Sequence, residues 1–251
     1  MKRALITGAS SGIGRDMARI LSDMGYDLIL VARRRERMEE LAKHLHTRCD
    51  IITADLTSAA ACRELHKAVQ KKGVTLVINN AGCGVWGEFT NTSLRRELDM
   101  LDINVRAVHI LTKLFLKDFV RQGRGRILNV ASSAAFLPGP LMASYYASKA
   151  YVLRLTQAIR EELRHKKSPV YVGVLCPGPV KTEFNDVANV SFALPGMDSY
   201  DVAEYAINQM MRGKGVIVPG RMMQLARVAE HFAPDEVLAR IGYHIQHRKG
   251  K

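Results

Sequence analysis

The sequence predicts an α/β protein in which one doubly wound parallel sheet of seven strands is covered by helices on both faces. Three observations lead there. Strand-like and helix-like segments alternate along almost the whole chain. The strand-like segments are unbroken Val/Ile/Leu runs rather than in–out alternations, and no linker, repeat or low-complexity stretch divides the 251 residues. A strand that is apolar on both sides has to be covered on both, and parallel neighbours need crossover helices to return the chain. The expectation is one domain over residues 1–251.

Residues 2–7 (KRALIT) read as a short buried strand, followed by a Gly/Ser turn and a helix from Ile13 to Met24. YDLILVA (26–32) is the second strand and leads into a charged helix over 35–46. CDIITAD (49–55), a helix over 58–72 and VTLVINN (74–80) continue the alternation. A long helix around 93–122 precedes GRILNVAS (125–132), and helical spacing resumes from Ser144 to about Lys166. PVYVGVLC (169–176) is the sixth strand; after a Pro-rich loop, a helix over 198–212 leads to GVIVP (215–219). Beyond it, Met222, Leu225, Val228, Ala229 and Phe232, and again Val237, Leu238, Ile241 and Ile245, recur at helical spacing. Residues 220–251 are therefore expected as a helical extension packed on its own subunit or a neighbour.

Composition narrows the function classes. With 47% hydrophobic and 24% charged residues the chain matches soluble globular proteins, not a disordered tail or a disulfide-framed mini-protein. No apolar run approaches the ~18 residues of a membrane-spanning helix. The start, MKRALITG, lacks the apolar core of a secretory signal, so a cytoplasmic protein is expected. Cys49, Cys62, Cys83 and Cys176 are scattered without a CxxC or paired histidines, so neither a metal site nor a disulfide framework is expected. The net charge of +13 calls for an anionic partner: a phosphorylated cofactor, an acidic carrier protein or nucleic acid.

The first chemistry-bearing segment is TGASSGIG at 7–14, between the first strand and the first helix. There Gly8, Gly12 and Gly14, with Ser10, Ser11 and Ile13 between them, let the backbone approach a pyrophosphate at a helix N-terminus. A literal GxGxxG occurs instead at 82–87 (GCGVWG), but EFTNTS follows it rather than a helix, so it is no phosphate loop. The end of the second strand chooses the dinucleotide. An acidic residue there would hold a ribose 2′-hydroxyl; Ala32-Arg33-Arg34 stands there instead, which favours NADP(H) over NAD(H). Arg33 is the first candidate, Arg34 the second and Arg15 a third, although RRRER is also what a solvated helix start looks like. Tyr145 and Lys149 open a helix at i, i+4, where an ammonium can lower a phenol pKa and a tyrosine can exchange a proton during hydride transfer.

Taken together, the glycine turn after the first strand, NNAG at 79–82, serine after the fifth strand and YxxxK at 145–149 resemble the short-chain dehydrogenase/reductase family. The resemblance runs from Lys2 to about Pro219, covers the single-domain branch and implies a Rossmann-type fold. It also implies that Tyr145 is the acid/base, that Lys149 holds the nicotinamide ribose and that Ser132, thirteen residues before the tyrosine, polarises the carbonyl. Ser133 is the adjacent alternative, and Asn104 corresponds to the family's asparagine in a proton relay. Asn80, Ala81 and Gly82 would line the adenosine side, and Asp55 and Leu56 would meet the adenine. Pro177, Gly178, Val180 and Thr182 would lie over the nicotinamide, and 183–200 would be a substrate lid.

On the substrate side, Phe184, Val187, Val190, Phe192 and Leu194, with Trp86, Phe136, Leu137, Leu141 and Met142, suggest a lipophilic ketone, β-ketoacyl or steroid-like compound. The family also implies a homodimer or homotetramer, and the basic C-terminal extension could meet an anionic membrane surface or an acyl carrier. An NADP(H) sensor without turnover is the competing function. A nucleic-acid binder is disfavoured because the basic residues are scattered and no recognition motif interleaves them with aromatics.

Overall fold

The computed structural model describes residues 2–184, 196–229 and 234–247. Its strands are β1 (Arg3–Thr7), β2 (Asp27–Ala32), β3 (Cys49–Thr53), β4 (Leu76–Asn79), β5 (Arg126–Val130), β6 (Tyr171–Leu175) and β7 (Val216–Ile217). All pair in parallel, in the order β3-β2-β1-β4-β5-β6-β7, as a single seven-stranded Rossmann-type sheet. The helices are α1 (Gly12–Asp23), α2 (Arg35–Ala42), α3 (Ala59–Val69), α4 (Leu94–Leu101), α5 (Val108–Gln122), α6 (Ala143–His165), α7 (Ser199–Met211), α8 (Arg221–Ala229) and α9 (Asp235–His247). The expected fold class and strand order of appearance hold.

Successive side chains of a strand point to opposite faces, so an unbroken apolar strand feeds two cores. Ala4, Ile6, Leu28, Leu30 and Ile78 pack with Met17 and Leu21 of α1 and with Val202, Ala206 and Met210 of α7. On the other face Leu5, Ile29, Val31, Val77 and Ile127 pack with Leu65 and Val69 of α3 and with Phe115 and Phe119 of α5. Between β4, β5 and the helices behind them runs a buried polar seam. Asn79 donates to Thr112 (3.1 Å) and to Asn129 (2.9 Å), its register partner on β5, and Asn129 donates to Thr156 of α6 (3.0 Å).

Two elements differ from expectation. The long helix over 93–122 is α4 and α5 joined by a π-helical turn, Asp102–Ala107, with the wholly buried Asn104 at its centre. The widened turn accommodates a side chain whose hydrogen bonds lie across the site rather than along the helix. The helix expected over 35–46 ends at Ala42, where His44 N–H bonds back to Leu41 in a tighter turn. Of the residues expected in the lid and the extension, Val187, Val190, Phe192, Leu194 and Phe232 lie outside the described residues. The side chains of Val228, Ala229, Ile241 and Ile245 are likewise not among those described.

Chain order reverses at β1. The links β1 to β2 to β3 step one way across the sheet, while β4 and everything after it step the other. The C-terminal ends of β1 and β4 consequently open a crevice with no crossover above it, the place where such sheets hold ligands.

Phe119 is the largest fully buried side chain, and a Cβ at Gly125 would stand 2.2 Å from its ring, so the turn into β5 is moulded on that ring. Phe119→Ala should cost about 3–5 kcal/mol of stability with the sheet intact, read from urea unfolding midpoints; a loss near zero would mean the second core is loosely packed.

Candidate active site

The crevice deepens into a cleft of about 550 Å³. One end is walled by the glycine turn and the ends of β2 and β4, the other by the ends of β5 and β6 and the first turns of α6. Most of the residues expected in the site reach it. Gly8, Ser10, Ser11, Gly12, Ile13, Arg33, Arg34, Leu56, Asn80, Ala81 and Gly82 line the first end; Ser132, Ser133, Tyr145, Lys149, Pro177, Gly178, Val180 and Thr182 line the second.

At the first end the backbone is shaped for close approach. Gly8 (φ +66°) and Gly12 (φ +53°) hold left-handed conformations that favour glycine. A Cβ on Gly8 would lie 2.8 Å from Ala81 Cα, and one on Gly12 would lie 2.9 Å from Thr182 Cγ2. Gly14 stands behind the turn, where a Cβ would meet Asn80 Nδ2 at 2.4 Å. Its part is to let α1 sit against the end of β4. Ser11 starts α1 in extended geometry without capping it, which leaves the helix N-terminus turned to the cleft. Such a cradle fits a phosphate group.

A residue that the motif reading passed over holds this end together. Thr7 Oγ1 accepts from the amides of Asn80 and Ala81 (both 3.0 Å) and approaches Ile78 O (3.4 Å), while Asn80 Nδ2 donates to Thr7 O and Gly8 O (3.1 and 3.2 Å). Only the position of Thr7 immediately before the first glycine could have signalled this.

The second end gathers buried polar groups. Tyr145 and Lys149 are 8% and 5% exposed. Lys149 Nζ donates to Val130 O (3.2 Å) and stands 5.7 Å from the centre of the Tyr145 ring. Asn104 does not line the cleft but backs it: Oδ1 accepts from Cys83 N–H (3.0 Å), and Nδ2 donates to Cys83 O (2.9 Å) and Ser148 Oγ (3.1 Å). A Cβ at Gly82 would lie 2.9 Å from Asn104 Oδ1 and 3.3 Å from Lys149 Nζ, so only glycine leaves that junction open. Ser132 accepts from Ala134 N–H (3.2 Å), and Ser133 N–H donates to Pro177 O (2.8 Å).

Charge at this end is governed by burial. Desolvation pushes the Tyr145 phenol well above its ordinary value, and Ser132 opposes that shift through its hydroxyl. The same burial pushes Lys149 down to about 8. Burial outweighs any lowering of the phenol by the ammonium here: with both groups dry, each disfavours its charged form.

Two further candidates are elsewhere. Arg15 is turned to the buried Asp16 (2.9 and 3.2 Å) and does not line the cleft. Asp55 accepts from the amide and hydroxyl of Thr57 (3.1 and 2.9 Å), closing its own turn, while its neighbour Leu56 faces the cleft. Among the described residues no group of acidic, His or Cys side chains could hold a metal, and no helix is long and apolar enough to cross a membrane.

A phosphate cradle at one end of a cleft and a buried Tyr/Lys pair at the other define a dinucleotide-dependent oxidoreductase. A family model described as short chain dehydrogenase matches residues 2–190, and the chain belongs to this short-chain dehydrogenase/reductase family, whose enzymes use a nicotinamide cofactor on small-molecule substrates. An uncharacterised oxidoreductase of Staphylococcus epidermidis is 31% identical over 212 residues, 83% of this chain and 91% of that protein. A short-chain dehydrogenase from Sphingobium yanoikuyae in complex with NADPH is 29% identical, with a TM-score of 0.82 over 92% of this chain and 95% of that one. A family member from Burkholderia phymatum in complex with NAD is 25% identical, with a TM-score of 0.84 over 92% and 93%. Solved relatives thus carry either dinucleotide.

The Lys149 shift has a measurable sign. Between about 8 and the ordinary 10.5 the unfolded chain still holds the proton that the folded chain has released, so Lys149 makes stability rise with pH across that window. Below it both states are protonated and the cost of the buried charge is constant. The unfolding free energy of the wild type minus that of Lys149→Met should therefore climb from pH 8 upward; a flat difference would mean the amine stays charged in the folded protein.

Proposed function

We propose that this protein is an NADP(H)-dependent oxidoreductase that interconverts a carbonyl and an alcohol on a lipophilic small molecule. The observation that carries the reading is the cleft itself, with Arg33 and Arg34 at one end and Ser132, Tyr145 and Lys149 at the other. Gly8, Ser10, Ser11, Gly12 and Ile13 would hold the pyrophosphate, Leu56, Asn80, Ala81 and Gly82 the adenosine, and Pro177, Gly178, Val180 and Thr182 the carboxamide. The nicotinamide supplies or accepts the hydride.

In the reduction direction, the Ser132 hydroxyl donates to the carbonyl oxygen and polarises it, and Tyr145 delivers its proton to the same oxygen as negative charge develops. Burial keeps the phenol protonated until that moment. Lys149 would bind the ribose and hold a positive charge near the phenolate as it forms. Asn104, bonded to Cys83 and Ser148, fixes α6 against the end of β4 and so sets where Tyr145 and Lys149 project. Oxidation reverses the proton's path.

NADP(H) is favoured by charge. The residues immediately after β2 are Arg33 and Arg34 rather than an acidic side chain, and Arg33 lines the cleft with no hydrogen bond or ion pair among the described residues. Phe136, Leu137, Met142, Tyr146, Phe184 and Met223 give the Tyr145 end an apolar wall suited to a lipophilic substrate. The segment expected as the lid is pinched at its base, where Val180 and Met197 form a parallel bridge, and this supports a lid role for the chain between them. Leu94 and Leu98 of α4 and Tyr151 of α6 are exposed apolar side chains, in keeping with assembly of identical subunits.

Tyr145→Phe should abolish turnover of a lipophilic ketone, with NADPH affinity unchanged within about twofold, since it removes one hydroxyl but keeps the ring. Full activity in the variant would remove the acid/base role. In parallel titrations by cofactor fluorescence, Arg33→Ala should weaken NADPH by tenfold or more, on the order of the ~1.5–3 kcal/mol of a charge-assisted hydrogen bond, and leave NADH nearly as it was. Equal losses would mean that Arg33 does not read the 2′-phosphate.

A further inference from the structure

The arginine donors at the mouth of the cleft are partly engaged by the chain itself. Arg34 donates through Nη1 to Glu183 Oε2 (2.8 Å) and through Nη2 to Ser10 Oγ (3.2 Å) and Ser11 Oγ (3.0 Å). Arg37 Nη1 reaches both oxygens of Glu183, at 2.5 and 2.6 Å. Glu183 belongs to the loop after β6, 149 residues along the chain from Arg34, so its pairing with Arg34 and Arg37 ties that loop to the start of α2 beside the glycine turn. Arg34 and then Arg37 hold its carboxyl below the ordinary range, so it is ionised at any working pH.

Three features separate this from an ordinary surface ion pair. The carboxylate sits between two guanidiniums, and Glu183, Arg34 and the serines of the glycine turn all line the cleft. Carboxylate and phosphate oxygens use the same planar fork of guanidinium donors. Next, Arg33, beside Arg34, is without a hydrogen bond or ion pair among the described residues, so a second anion can enter alongside. Finally, the residue following Glu183 is Phe184, whose ring lies 5.5 Å from that of Tyr145. Whatever moves Glu183 pulls on a side chain at the reacting end.

We propose that Glu183 is an internal stand-in for the 2′-phosphate, which NADP(H) displaces from Arg34 and NAD(H) leaves in place. The inference rests on the NADP(H) reading given above and adds a specificity-determining residue to it. Glu183 and Arg34 are each a little under half exposed, so their pairing is weak enough to exchange. A phosphate monoester brings about −1.5 to −2 charge against the carboxylate's single charge, which gives the phosphorylated cofactor the advantage. Exchange at this point reports occupancy of the 2′-phosphate site to Phe184 beside Tyr145.

The test compares wild type with Glu183→Gln by calorimetric titration of NADPH, NADH, adenosine 2′,5′-bisphosphate and 5′-AMP. Glutamine keeps the size and removes the competing charge. NADPH and the bisphosphate should tighten about threefold or more relative to NADH and AMP, the scale expected for loss of one exposed competing ion pair. Trp86 is the only tryptophan and packs against the same buried cluster as Phe184, so its emission gives a second readout. The bisphosphate should shift that emission in the wild type and AMP should not, while Glu183→Gln should show the shift without ligand. Weaker NADPH binding in the variant, or an equal change for both cofactors, would overturn the stand-in role, and identical Trp86 responses to both nucleotides would break the link to Phe184. A wild type that binds neither dinucleotide, or prefers NADH, would overturn the cofactor reading and this inference with it. A wild type that prefers NADPH without a selective gain in the variant would remove the inference alone.

Discussion

Both faces of the sheet have to be dry, and that constraint decides where polar chemistry can go. Strand after strand gives its side chains to the two cores, and apart from the Asn79–Asn129 seam it is the strand ends that carry donors, acceptors and charge. Reversal of strand order at β1 then makes one set of ends accessible. Thr7 is the point where these demands meet. It is the last residue of β1, and its hydroxyl holds the amides that open the β4 loop, so the two walls of the crevice are built from one side chain.

The same dryness sets the chemistry at the far end. A tyrosine and a lysine in water would be a neutral phenol and a cation of no great interest. Buried within the first turns of α6, each resists its charged form. A group that resists ionisation gives up or accepts charge only when something arrives to stabilise it, and in the proposed reaction that is the reacting oxygen. Asn104 contributes from behind, through a π-helical turn that costs regular hydrogen bonding in the helix and returns three bonds across the site.

Much of this was legible in the sequence, and the reason is physical. Val/Ile/Leu runs alternating with periodic helices admit few arrangements, so all seven strands were placed within a few residues. Tyr145, Lys149 and Ser132 were legible because a motif sequence of fixed order leaves little freedom in where each part lands. What escaped depends on contacts between distant segments. Nothing in DINVRA announces a π-helical turn, because its cause lies at Cys83 and Ser148. Asp55 was expected at the adenine by the family resemblance and Arg15 near the 2′-phosphate by its place after the glycines, yet Thr57 and Asp16 engage their side chains. The engagement of Arg34 by Glu183 joins positions far apart in the chain, which no local pattern records.

The parallel bridge between Val180 and Met197 has a consequence for how this molecule can change over time. Lys181 N–H bonds to Met197 O, and Met197 N–H to Pro179 O, so the two stems are fastened to each other before the intervening chain begins. Lengthening a loop whose ends are already joined adds closure entropy only slowly, about 0.6 kcal/mol for each doubling. Added length between those stems therefore costs folding little, so long as Thr182, Glu183 and Phe184 keep their contacts with the glycine turn, the arginines and Tyr145. The sheet, the glycine turn and α6 all lie outside those stems and need not change with the length of chain between them.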